Sequence, residues 1–240
     1  HLTKFKRGFD LVIDVFGSDH QATFPDVLAA LGALGFDPAR IDVRIHQFVT
    51  LMRGGEQVKM STRKANYVTL DELFDEVGAD AARYFFLMRR MESHLDFDLD
   101  LAKKKSDENP VFYVQYAHAR ICSIMQHAGE KMGVKEVKDG KVVKEKSDLG
   151  LLKQPEEIKL IKSLLEFPEL VQGAAQSREP HRIPTYLQEL AGIFHNFYHQ
   201  HRVVTEDQAL SNARLDLCQA TRTVIANGLG LLGVGAPEKM

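Results

Sequence analysis

The spacing of apolar residues changes character along this chain. Phe9 to Phe16 is almost uninterrupted apolar sequence, FDLVIDVF, and it stops at Gly17-Ser18-Asp19-His20. Such a run predicts a strand buried on both faces of a parallel sheet. Val27, Leu28, Leu31 and Leu34 then recur along one side of a helix predicted from Pro25 to Leu34, which Gly35 closes. Ile41, Val43 and Ile45 alternate, and Phe48, Val49 and Leu51 prolong this second strand to a Gly54-Gly55 turn. Strand, helix and strand make a βαβ-like unit. It is too small for a complete nucleotide-binding sheet, so further strands are expected upstream of residue 1, and apolar edges left exposed without them would favour aggregation.

Beyond the turn, VKMSTRKANYV is a polar, basic loop, and Thr69-Leu70-Asp71-Glu72 reads as a capping box that opens a helix. Another helix is predicted from about Asp80 to Arg90. Leu95, Phe97, Leu99 and Leu101 then alternate with Asp96, Asp98 and Asp100, which predicts an extended, half-buried segment. From Asn109 the period becomes helical. Asn109 is a favourable N-cap, Pro110 stands at the first helical position, and the helix is expected to reach about Gly133. Lys135 to Asp148 is charged and predicts a solvated excursion. Three further helical patterns follow: Glu156 to Gln176 with a break before Pro168, Pro184 to about His201, and Leu210 to Leu232. Together they predict an all-α bundle.

Composition narrows the class of protein without naming it. At 240 residues, 44% hydrophobic and 27% charged, the chain suffices for one large or two modest domains. A net charge of -2 gives no global sign of nucleic-acid binding, so any RNA contact must come from a local surface. No run of about 18 apolar residues is present, which argues against a membrane span. The opening HLTKFKRGFD has neither a starting Met nor the apolar core of a signal peptide, so the chain is expected to begin within a longer protein. Cys122 and Cys218 both fall in apolar helical patterns, predicting buried thiols and a reducing, cytoplasmic compartment.

Candidate chemistry concentrates in a few places. Lys59-Met60-Ser61-Thr62-Arg63 lies on a loop after a strand and turn; its cations suit a phosphate clamp, although such a pattern alone also describes a solvated surface loop. On the Asn109 helix, Val114, Ala117, Ile121, Met125 and Ala128 form one apolar stripe, while Tyr113, Tyr116 and Arg120 share a second face. Two aromatics and an arginine off the core stripe suit stacking on unpaired bases, or else packing against a neighbouring helix. Phe194 and Tyr198 fit a core stripe with Leu187, Leu190 and Ala191. His195, His199 and His201 suggest metal only superficially, since no acidic or cysteine partner is suitably spaced. The Asp96, Asp98, Asp100 series is no calcium loop: Leu101 replaces the turn glycine, and Asp107 the bidentate glutamate.

Four blocks, in order, carry a family resemblance. KMSTR resembles the class I aminoacyl-tRNA synthetase loop usually written KMSKS, and ADAARYFFLMRR resembles the DALR-type segment behind it. NPVFYVQYAHARI resembles the start of the anticodon-binding domain of arginyl-tRNA synthetases, and LGLLGVGAPEKM resembles their C-terminal end. The resemblance implies an α/β plus all-α fold. Residues 1–106 would be the C-terminal part of a Rossmann-like catalytic domain with its KMSKS-like loop and connecting segment, and residues 107–240 a helical, DALR-type anticodon-binding domain. It implies ligation of arginine to tRNA-Arg through arginyl-adenylate, with ATP and Mg2+, in a cytoplasmic protein that is a monomer and carries no resident metal site.

By the same resemblance, Lys59, Met60, Ser61 and Arg63 belong to the mobile loop that stabilises the leaving pyrophosphate, with Thr62 standing where a second lysine is usual. Gly17, Asp19, His20, His46 and Phe48 fall at ATP or amino-acid positions. Tyr113, Tyr116, Arg120, Phe194, Tyr198 and the terminal Met240 fall at anticodon positions. The family's HIGH motif is missing from this sequence, so the chain alone is expected to be inactive. A module of another class, binding tRNA or a partner without catalysis, is the alternative.

Overall fold

The computed structural model describes residues 1–58, 68–131 and 147–240, with backbone alone at 137–138 and 141–142. Their contacts divide into two units, His1–Lys59 with Arg89–Asp98, and Met60–Met88 with Leu99–Met240.

In the first unit, strand β1 (Val12–Gly17) lies parallel to β2 (Ile41–His46), from Val12 opposite Ile41 to Gly17 opposite His46. Helices α1 (Leu2–Lys6) and α2 (Phe24–Ala33) supply Phe5 and Leu31 to a core shared with Val12 and Ile41. Leu28, Phe36 and Val43 pack against it. This covers one face only: Ile13 and Val15 are 50% and 58% exposed, so the expectation of a strand buried on both faces is corrected. From α2, Leu31 and Leu28 pack into this core. Val27 and Leu34, expected on the same side, are exposed, because a core one strand pair wide needs little more than one helical turn of contacts.

The long second strand expected from Ile41 to Leu51 is two strands in different sheets. After His46 the Gln47 N–H turns aside to donate to the Met91 carbonyl at 2.8 Å. Strand β3 (Val49–Arg53) then pairs antiparallel with β4 (Glu56–Gln57) across the Gly54-Gly55 turn, and parallel with β5 (Leu95–Asp98).

The second unit opens with α3 (Leu70–Val77), started by the expected capping box: the Glu72 N–H donates to Thr69 Oγ1 at 3.1 Å, and the Thr69 N–H to Glu72 Oε2 at 2.8 Å. Helix α4 (Ala79–Leu87) follows, and the chain returns as α5 (Leu99–Lys103). The extended segment expected through Leu101 therefore ends at Asp98. Leu99 and Ala102, three apart, are both buried, and Lys103 reaches Glu76 at 2.9 Å, contacts that favour a helical turn over further alternation.

Helices α6 (Pro110–Lys131), α7 (Pro155–Ser177), α8 (Arg182–Gln200) and α9 (Gln208–Leu231) form the bundle. The Asn109 cap is present, its Oδ1 accepting the Val111 N–H at 3.2 Å. Every member of the stripe Val114, Ala117, Ile121, Met125 and Ala128 is buried. Tyr84 of α4 is fully buried and donates to the Pro184 carbonyl at 3.1 Å. Between α6 and α7, Val137–Lys138 and Lys141–Val142 form a two-residue antiparallel ladder within the segment expected to be a solvated excursion.

α7 runs through Pro168 without the expected break. Proline deprives the helix of one N–H and crowds the carbonyl four residues before it. Here Pro168 faces solvent, the Ser163 carbonyl next to that crowded turn accepts the Tyr186 hydroxyl at 2.9 Å, and Phe167 stacks on the Tyr186 ring at 5.5 Å. Docking on α8 holds the helix together where isolated sequence would end it. Deeper in the bundle, Glu157 Oε1 accepts from Arg214 Nε at 2.7 Å, with the two side chains 0% and 8% exposed. Among the described residues no helix is long and apolar enough to cross a membrane.

Candidate functional site

The parallel register of β1 and β2 brings four of the candidate residues together. Gly17 lies directly opposite His46 at the carboxyl ends of the strands, where open α/β sheets bind ligands. The chain then turns into Ser18–His20, leaving Asp19 and His20 exposed with Nε2 and Oδ2 3.9 Å apart. A Cβ at Gly17 would lie 2.7 Å from Asp19 Oδ1, so a larger residue there would push the Asp19 carboxylate aside. His46 is partly buried, with Nδ1 2.6 Å from the Gln47 carbonyl, and Phe48 is 65% exposed. The adjacent cavity, about 100 Å³ beside Asp14, Phe16 and His20, is far below the roughly 300 Å³ at which small-molecule pockets begin. The described residues thus form a strand-end rim and not a nucleotide pocket. Lys59, Met60, Ser61 and Arg63 lie outside the described residues.

On the second unit, helices α6 and α8 bring a different set into contact. The Tyr113 and Tyr116 rings lie 4.9 and 6.0 Å from His195. The Arg120 guanidinium covers Tyr116 at 4.7 Å and Tyr198 at 5.3 Å, and donates to the Tyr116 hydroxyl. Phe194 stacks beneath Tyr198 at 6.1 Å and is itself fully buried, so it supports the surface from below. Burial is the main cause that raises the Tyr113 pKa, with Asp107 adding to it, and the phenol stays neutral near pH 7. Burial and then the Arg120 charge lower that of His195. His195 Nε2 is shielded and has no hydrogen-bond partner among the described residues. The result is a partly exposed array of π faces capped by a guanidinium, the chemistry by which proteins stack unpaired bases.

His195, His199 and His201 are separated in role: His195 joins the aromatic array, His201 pairs with Glu156 at 2.9 Å, and His199 is exposed.

Comparison with known proteins bears directly on this surface. Residues 114–240 match the family model of the DALR anticodon binding domain, which is more than half of the chain. This chain belongs to the DALR anticodon-binding family. Over all 240 residues it is 54% identical to an arginine–tRNA ligase of Salinibacter ruber and 52% identical to one of Desulfotalea psychrophila. It spans 41% and 42% of the length of those relatives. Its structure resembles an arginyl-tRNA synthetase of Campylobacter jejuni, with a TM-score of 0.85 and 32% identity over 99% of this chain and 50% of the other. The arginyl-tRNA synthetase of Thermus thermophilus gives a TM-score of 0.76 and 28% identity, over 96% of this chain and 41% of that one. The matches over the whole chain are thus to the C-terminal portion of arginyl-tRNA synthetases.

In this DALR domain the C-terminal tail is fastened to α4 and α6. Asp80 Oδ2 accepts from Gln115 Nε2 and from the Gly235 N–H, each at 3.0 Å, and Gln115 also donates to the Gly235 carbonyl at 2.9 Å. Buried His118 holds the Pro237 carbonyl through Nδ1 at 2.8 Å, which assigns the ring proton to that nitrogen. These bonds place Met240, 54% exposed, on the wall of a cavity of about 680 Å³ with Phe112 and Gln115. Met240 is not within the cluster of Tyr113, Tyr116 and Tyr198; Phe112, stacked on Tyr116 at 6.0 Å, belongs to both surroundings.

His195 and Phe112 were missed as members of the array by sequence reasoning. His195 sits three residues before Tyr198 on the same helix face, a usable signal obscured by its alternation with other histidines. Phe112 stands four residues before Tyr116, also on one face. Cys218 is fully buried; Cys122 is half-buried, and burial raises its thiol pKa.

Proposed function

We propose that this chain is the C-terminal portion of an arginine–tRNA ligase that joins arginine to tRNA-Arg through arginyl-adenylate. In that reading residues 1–106 complete a catalytic domain and residues 107–240 receive the anticodon. The observation that carries it is the convergence of Tyr113, Tyr116, Arg120 and Tyr198 from two helices onto one partly exposed surface. Tyr116 and Tyr198 take bases by stacking, Arg120 adds cation–π attraction and donors, and buried Phe194 stiffens the layer beneath. Met240 acts from the neighbouring cavity, held there by the tail.

ATP with Mg2+ supplies the phosphoanhydride consumed in activation, in a pocket to which this chain contributes only an edge. Gly17, Asp19, His20, His46 and Phe48 form that edge. Lys59, with Met60, Ser61 and Arg63 on the same loop, balances the charge of the departing pyrophosphate, as a cation placed where negative charge develops lowers the barrier. The uncovered apolar face of β1, with Ile13 and Val15, is the surface against which the rest of the catalytic domain packs. The complete protein is a cytoplasmic monomer, and this chain by itself forms no adenylate.

The test is binding of an anticodon stem-loop of tRNA-Arg, beside a scrambled-loop control, at fixed salt. Wild type prefers the cognate loop, and the Tyr116→Ala, Arg120→Ala double variant loses that preference. Equal binding to both loops, unchanged by the substitutions, overturns the assignment.

A further inference from the structure

Beside the aromatic array lies a cavity of about 520 Å³ whose walls include Arg120, Lys131, Arg202, His127 and His199. No carboxylate among the described residues lines it, and none pairs with Lys131 or Arg202. The gathering of Arg120, Lys131 and Arg202 in a protein of net charge -2 demands a reason, since like charges brought together repel. His201, also on the wall, is the exception: its Nε2 lies 2.9 Å from Glu156 Oε2.

The backbone here is fixed rather than loose. Arg214 Nη1 donates to the Arg202 carbonyl at 2.8 Å from within the bundle, and Val203 next to it is 4% exposed. His195 reaches both the array and the cavity, and its Nε2 has no partner among the described residues. Arg120 is likewise common to both, lying over Tyr116 and Tyr198 while lining the cavity.

We infer that this basin binds a backbone phosphate of the same single-stranded RNA loop whose bases stack on the tyrosines, with Lys131 and Arg202 as its phosphate ligands. The inference rests on the proposed RNA reading. A nucleotide places a flat base and a phosphate side by side, and the surface offers the matching pair, a stacking tier and a cationic hollow joined through Arg120 and His195. Phosphate contacts position the RNA and carry no sequence information, so this basin adds affinity, while base preference stays with the array.

The experiment uses the 240-residue chain and a Lys131→Gln, Arg202→Gln double variant, both substitutions being at exposed side chains, with circular dichroism melting to establish that the fold is intact. Affinity for the cognate and scrambled loops is measured across a salt series. For the double variant the slope of log affinity against log salt falls by roughly 1, which at 0.1 M salt is about a tenfold loss, equal for both loops. The ratio of the two affinities stays as in wild type. A set of cognate loops, each with one phosphate replaced by a neutral methylphosphonate, then locates the contact: one linkage weakens wild type and leaves the double variant unaffected.

An unchanged slope, or the absence of any linkage coupled to the variant, overturns the inference. If inorganic phosphate at matched ionic strength raises the melting temperature of wild type but not of the variant, while the RNA slope is unchanged, the hollow is a site for free phosphate and the inference is also overturned. The two readings fail separately. Loss of loop preference in wild type with the slope effect retained removes the anticodon assignment and keeps the phosphate basin; the reverse result removes only the basin.

Discussion

Replacing Arg214 by Met tests how the second unit is held together. Glu157 is 0% exposed and Arg214 8%, so each charge has exchanged water for the other. Met keeps much of the apolar stem but removes the counter-charge and both donors, those to Glu157 Oε1 and to the Arg202 carbonyl. Removing one partner of a buried pair costs about 3–5 kcal/mol, because the remaining charge is stranded. In a unit of this size 1 kcal/mol moves Tm by roughly 2–4 °C, so a fall of about 6–20 °C is expected in a thermal melt followed by far-UV circular dichroism. The Glu157→Met, Arg214→Met double variant recovers most of the loss, since apolar groups of similar volume often replace a buried pair without penalty. It does not recover all: Glu157 Oε2 also accepts the Gln154 N–H at 2.9 Å at the start of α7, a cap worth about 1 kcal/mol. A single variant that melts within about 3 °C of wild type, roughly 1 kcal/mol, or a double variant less stable than the single, would refute the argument from desolvation.

Other perturbations follow from the same packing. Gly233→Ala forces a left-handed φ of +67° on an L side chain and sets a Cβ 2.9 Å from Arg83 Nη1, so a urea melt should show a loss of about 1–2 kcal/mol. Pro168→Ala restores a backbone donor inside α7 and should stabilise by roughly 1–3 kcal/mol; a destabilised variant would show that the helix depends on the proline. Stability should fall as pH drops below about 6.5, the ordinary histidine value. Burial lowers the His118 and His195 pKa values in the folded state, so below that pH the unfolded chain takes up protons that the folded chain refuses. The loss levels off once the folded pKa values are passed, and a His118→Gln, His195→Gln variant should show a flatter dependence of Tm on pH between 7 and 5.

The helical half was the more legible from sequence because its faces are set by local spacing. The stripe from Val114 to Ala128 and the offset of Tyr113, Tyr116 and Arg120 follow from the 3.6-residue period alone. The Thr69 box and the Asn109 cap were readable because their partners lie within a few residues. What escaped depends on distant partners. Nothing local indicates that β3 leaves β2 to pair with β5, or that the Gln47 N–H is claimed by Met91. The unbroken α7 rests on Tyr186, and the position of Met240 rests on Asp80, Gln115 and His118 from elements far earlier in the chain. The apolar run of β1 correctly signalled a strand, but the burial of its second face requires material that the described residues do not supply.

A nearly neutral composition and the proposed RNA-binding surface are compatible because charge acts locally. At 0.1 M salt the Debye length is about 10 Å, so exposed acidic residues farther than that from the proposed basin are largely screened from a phosphate placed there. The hollow itself, of about 520 Å³, is walled by Arg120, Lys131 and Arg202 and by no carboxylate among the described residues. Three acids of this unit are committed to structure: Glu157 to Arg214, Glu156 to His201, and Asp80 to the tail. With those carboxylates paired elsewhere, Arg120, Lys131 and Arg202 line the hollow without a carboxylate among the described residues. The net charge of -2 therefore says little about attraction for RNA, and the arrangement of partners decides it.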